Sequence, residues 1–227
     1  MTAGRRFLRE NSLSLFFGGL FLLALIGQAL AGQAEFNDQL RVDGRPPLSL
    51  GAYLASSAFA VDVAENWQSE YLQFLLYILA TVWLVQRGSS ESKELGKAGI
   101  ESDKDQLIGV YARPNSPRWA RVGGWRTSLY SNSLGLTMGT IFLLSWLAQS
   151  IAGVSAYNEQ RMRQLLDPVA WHSYVFSADF WSRTLQNWQS EFLAVASMAV
   201  LAIYLRQRGS PESKPVGAPH TATGGEN

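Results

Sequence analysis

Five consecutive residues, Asn66-Trp67-Gln68-Ser69-Glu70, recur unchanged as Asn187-Trp188-Gln189-Ser190-Glu191, a displacement of 121 positions (66 to 187). The same displacement carries Gln86-Arg87-Gly88-Ser89 onto Gln207-Arg208-Gly209-Ser210, Asn11 onto Asn132, Gly18 onto Gly139, Gln28 onto Gln149, Tyr53 onto Tyr174 and Lys93 onto Lys214, with no gap. So regular a register reads as a tandem duplication, and each half is expected to build the same unit.

What that unit is follows from where the apolar residues fall. Mean hydropathy over the chain is close to zero, but the apolar residues gather in four blocks: Leu13 to Gly32, Tyr71 to Val85, Leu134 to Gly153 and Phe192 to Leu205. The first and third are free of charge and about 20 residues long, enough to cross a hydrocarbon core of about 30 Å. The other two are short unless they are extended back through Asn-Trp-Gln-Ser-Glu, which restores a spanning length and sets Trp67 and Trp188 at the membrane interface, where indole is favoured. Arg5, Arg6 and Arg9 ahead of the first block, and Ala29-Leu30-Ala31 at its end, imitate a cleaved secretion signal. The same block returns in mid-chain, where no signal belongs, so it is read as an anchor.

Basic residues set the orientation. The N-terminal arm carries Arg5, Arg6 and Arg9, and the central connection carries Arg87, Lys93, Lys97, Lys104, Arg113, Arg118, Arg121 and Arg126. The hairpin loops carry only Arg41 and Arg45 in one, Arg161, Arg163 and Arg183 in the other. The expectation is an all-α integral membrane protein of four spans, two tandem hairpins of the same orientation, with both termini inside. Residues 1–95 form the first hairpin repeat (spans about 13–32 and 66–86) and 96–125 a cytoplasmic or interfacial linker. Residues 126–210 form the second repeat (spans about 133–153 and 187–206), and 211–227 a Gly, Pro, Thr and Ala-rich tail expected to be disordered. Ser56 and Ser177 are placed as N-caps of long second helices. In the linker, Trp119 and Trp125 alternate with Arg118, Arg121 and Arg126. This suits rings lying in a headgroup layer with guanidinium groups at lipid phosphates, rather than nucleic-acid binding.

Composition excludes several chemistries. The chain has no cysteine, so no disulfide framework or thiolate metal site is open to it, and two histidines, His172 and His220, do not make a metal or haem centre. No phosphate-binding loop, hydrolase elbow or zinc-protease motif occurs. The expectation is a protein without cofactor, metal or catalytic residues, whose partners are the lipid bilayer and, as alternatives, a second copy or other membrane proteins.

One polar constellation stands out. On this topology Gln28 and Gln149 lie near the outer ends of the first helices, and Glu70 and Glu191 near the start of the second spans. Asn66 and Asn187 sit one turn before the glutamates on the same face. If the halves pack about a common axis, two carboxylates, two asparagines and two glutamines converge in the outer leaflet. A carboxylate there is costly, about 2.5 to 3.5 kcal/mol at the bilayer centre and less toward the interface, and it demands compensation. Such a cluster reads either as a site for a cation, proton or polar solute, or as a pair of helix starts with tryptophan anchors and acids at the positive end of the helix dipole.

Several segments together resemble a family of bacterial membrane proteins known as a domain of unknown function. They are Arg6 to Leu15, Asn66 to Gln73, the Gln-Arg-Gly-Ser-x-Glu-Ser-Lys stretches at 86–93 and 207–214, and Tyr111-Ala112-Arg113-Pro114-Asn115-Ser116-Pro117. The resemblance implies the bacterial cytoplasmic membrane and brings no activity. The expected role is a non-enzymatic structural or interaction component, with a small channel or transporter using Glu70 and Glu191 as the alternative.

Overall fold

The computed structural model describes residues 3–224; the first two residues of the arm and the last three of the tail lie outside them. The described residues are helical without strands. In chain order the helices are α1 (Ala3–Glu10), α2 (Ser12–Val42), α3 (Leu50–Leu54), α4 (Ser57–Trp83), α5 (Arg118–Arg121), α6 (Gly124–Ser131), α7 (Ser133–Arg163), α8 (Trp171–Val175) and α9 (Ala178–Tyr204), with a single 3-10 turn at Gly109–Tyr111. Moving the bounds of α1, α2, α3 and α4 along by 121 residues gives those of α6, α7, α8 and α9.

Local chemistry explains these bounds. Ser56 and Ser177 cap α4 and α9, each hydroxyl accepting from the amide three residues on, Phe59 and Phe180, which satisfies one of the orphan donors of a helix start. Helix α2 runs ten residues past the apolar block, because nothing breaks it before Gly44, Arg45, Pro46 and Pro47. The next turn is clamped back: Asn37 Nδ2 donates to the Leu48 carbonyl at 3.0 Å and the Leu48 amide donates to Asn37 Oδ1 at 2.7 Å. Asn158 and Val169 repeat the clamp at 2.9 and 2.8 Å. Tyr53 and Tyr174, both buried, then press their rings on Gly32 and Gly153, where a side chain would collide with the phenol.

Helices α2 and α7 are long and apolar enough to cross a membrane. Packing is centred on α4 and α7, which lie along one another, Gly139 and Gly135 of α7 meeting Leu75 and Leu79 of α4. Helix α9 touches α4 and sends Phe180, Trp181 and Trp188 around Trp146 of α7. The two Gln-Arg-Gly-Ser-x-Glu-Ser-Lys stretches fold into matching loops. The Gln86 and Gln207 amides donate to Ser92 and Ser213 Oγ at 2.8 and 2.9 Å, and Gly88 and Gly209 both take φ of +84°, a conformation suited to glycine. Residues 211–224, whose composition suggests an unstructured tail, lie against the first of these loops. Buried Lys214 donates to the Gly88, His220 and Ala222 carbonyls, and the Gly88 amide donates to Thr223 Oγ1 at 2.9 Å.

Candidate functional site

The residues singled out by the repeat separate in space. Glu70 is exposed and Glu191 half-buried, and the charge of Glu70 acts on the Glu191 carboxyl. The asparagines do not join them: Asn66 Nδ2 donates to the Asp62 carbonyl at 2.8 Å and Asn187 Nδ2 to the Arg183 carbonyl at 3.0 Å, each satisfied one turn back on its own helix. Gln149 is fully buried and turns toward Thr184 Oγ1 at 3.4 Å, while Gln28 is only half-buried. Trp188 is not free to act solely as an anchor, because its indole N–H donates to the buried Gln68 Oε1 across α9 and α4 at 2.8 Å. Trp67 is exposed beside Phe21. Trp119 and Trp125 are exposed in an edge-on pair with centroids 6.4 Å apart, and Arg126 lies 5.5 Å over the Trp125 ring, a pairing suited to an interface.

The larger site lies one to three helical turns farther out. A cavity of about 700 Å³ opens between the C-terminal turns of α2 and α7 and the N-terminal turns of α4 and α9. Its charged lining is Glu35, Asp43, Asp62, Glu159, Arg163 and Arg183, with Phe36 and Tyr53 as aromatic walls. Both halves contribute at matching positions: Gln39 with Gln160, Asp43 with Gln164, and Asp62 with Arg183.

Its electrostatics are set by pairs. Arg163 reaches Asp43 at 3.3 Å and stacks over Phe36 at 5.5 Å. Arg183 reaches Glu65 at 3.6 Å and Asp179 at 3.4 Å. Burial raises the Glu65 carboxyl above the ordinary range more strongly than Arg183 lowers it. Asp62 is likewise raised, first by burial, with Arg183 opposing and Glu35 adding to it. Burial works against the Arg183 charge, yet the surrounding carboxylates, Glu65 and Asp179 foremost, outweigh it and hold the guanidinium above its usual value. Among the described residues Glu35, Asp62 and Glu159 form no ion pair within 4.0 Å. The cavity therefore carries carboxylates beyond those its arginines neutralise, an arrangement that attracts cations.

Sequence reasoning aimed at Glu70 and Glu191 and passed over Asp62, Glu65 and Arg183. The signal was present: at displacement 121 an aspartate faces an arginine, the kind of divergence that complementary charges across an axis produce. The arginine is engaged by Glu65 and Asp179.

Residues 4–225 match the profile of a family described as a domain of unknown function, DUF6766, and the chain belongs to that family. No curated protein and no solved structure matches the chain.

Proposed function

We propose that this member of the DUF6766 family is a four-span integral protein of the bacterial cytoplasmic membrane, two same-orientation hairpins with both termini and the central connection inside, whose outer cavity binds a small organic cation without covalent chemistry. The carrying observation is the cavity itself, lined by all four long helices or the turns joining them and holding Glu35, Asp62 and Glu159, which have no ion-pair partner within 4.0 Å among the described residues. Aromatic walls at Phe36 and Tyr53 suit an alkylammonium group, whose charge favours a ring face. Helices α4 and α9, at 27 residues each, are about 40 Å long. Their first turns project beyond a bilayer while their apolar remainder crosses it. The glutamate pair at 70 and 191 then sits beneath the cavity in the outer leaflet, a step on the way inward for a carrier. An interaction role draws support from a different observation, the uncovered faces of α2 and α9.

The test is a thermal-shift titration of the detergent-solubilised full chain with tetraethylammonium chloride against sodium chloride at equal ionic strength. Saturation at about 100 times Kd adds about 2.7 kcal/mol, visible as a rise in Tm that Asp62→Asn with Glu35→Gln removes. The same response to both salts, or an undiminished shift in the double variant, contradicts the reading.

A further inference from the structure

The two halves are alike in sequence, yet only one of two equivalent interfaces is made. Helix α4 packs along α7. Displaced by 121, that contact becomes α9 against α2, and among the described residues α2 makes no such packing on α9. The consequence is visible residue by residue. Leu72 of α4 is 8% exposed and its equivalent Leu193 of α9 is 61% exposed; Phe142 of α7 is 9% exposed and its equivalent Phe21 of α2 is 48% exposed. Gly139 lies 3.6 Å from Leu75 measured from a built Cβ, whereas the matching position at Gly18 meets nothing within 4 Å. Gln68 is fully buried, while its equivalent Gln189 is exposed on α9.

We infer that the uncovered face of α9 is the seat for α2 of a second copy of this chain, reproducing between chains the contact that α4 and α7 make within one. The faces are complementary because they are near-copies of surfaces already shown to fit: Gly18 takes the part of Gly139, Ala196 that of Leu75, and Phe21 that of Phe142. Gln189 lies exposed at the interface end of this face, whereas its twin Gln68 on α4 is enclosed by protein, its Oε1 accepting from the Trp188 indole. Small residues at Ser14 and Gly18 let the backbones approach. Where each copy gives α2 to the same partner from which it receives α2, the exchange is reciprocal and the assembly closes at two.

The chain has no cysteine, which makes disulfide mapping direct. Gly18→Cys and Ala196→Cys, carried on separate full-length chains, are mixed in detergent, reconstituted and oxidised, with Leu75→Cys plus Gly139→Cys on one chain as the intramolecular control. The expected result is a linked dimer from the mixture, and from the chain carrying both Gly18→Cys and Ala196→Cys, but not from either single variant alone. Monomer closed on itself in that double variant places α2 on its own α9 and overturns the proposal. Control closure with no dimer assigns the face to lipid and overturns it equally. As a second measurement, Gly18→Leu fills space that is open within one chain. It should convert a dimer on native mass spectrometry to monomer with little change in Tm, and a persisting dimer contradicts the model of exchange.

Discussion

Asp62 and Arg183 occupy the same place in the two halves of this chain and carry opposite charges into one cavity. The two copies of the helix start thus differ in charge at this position. The arginine then gathers Glu65 from the first half and Asp179 from its own helix. Together with the Arg163–Asp43 pair, this group joins the outer ends of the halves.

Removing the arginine should therefore loosen the outer end. Arg183→Ala leaves Glu65, largely buried, without its cation, and the expected cost is about 1 kcal/mol, discounted because the arginine side chain keeps two-fifths of its surface in solvent. A lowered Tm checks it, and Arg183→Lys should recover part of the loss.

The direction of the Glu65 shift fixes a pH dependence. Its carboxyl is raised above the ordinary value of 4.5, mainly by burial, so the folded chain holds the proton more tightly than the unfolded one. The stability this contributes is fully present below the ordinary value and is lost as pH rises through the raised one. Compared with Glu65→Gln, the wild-type chain should gain in Tm as pH is lowered from about 8 to about 5. A difference that stays constant over that range contradicts the assignment.

Glycines on the equivalent helices α2 and α7 should respond differently to the same change. At Gly153 an added Cβ meets the buried Tyr174 ring at 2.5 to 3.0 Å, so Gly153→Ala is expected to destabilise by about 1–3 kcal/mol. Gly27, whose equivalent is already Ala148, meets nothing within 4 Å. Gly27→Ala should raise stability by about 0.5–1 kcal/mol through helix propensity. Paired thermal melts decide both.

The tail gives a further contrast. Lys214 is enclosed, its ammonium donating to carbonyls at Gly88, His220 and Ala222; burial lowers its proton affinity, with Arg206 adding to the effect. Lys214→Met keeps the length and removes the donors, and residues 211–224 should become the first segment cut in limited proteolysis, ahead of the central connection. Unchanged cleavage order would show that the contacts do not hold the tail.

The repeat made much of this fold readable. Serine caps at 56 and 177 and the helix starts that follow them come from local residue chemistry and one displacement. What did not follow is long-range. The fate of Asn66 and Asn187 was decided by carbonyls one turn behind them, which compete with any partner across an interface. Gln68, a position inside the repeated motif, became a core acceptor for Trp188 only because α9 crosses α4 there. The loop clamps at Asn37 and Asn158 and the enclosure of Lys214 depend on segments 11 and 126 residues apart in sequence, and no periodicity reports them.

Four crossings with the cavity outside are tested by single cysteines at three well-exposed positions in this cysteine-free chain: Val42, Val110 and Leu165. Labelling of intact cells with a membrane-impermeant maleimide should modify Val42→Cys and Leu165→Cys, with Val110→Cys reacting only after lysis. If only α2 and α7 cross, Val110→Cys reacts from outside and Leu165→Cys does not, and the four-span account fails.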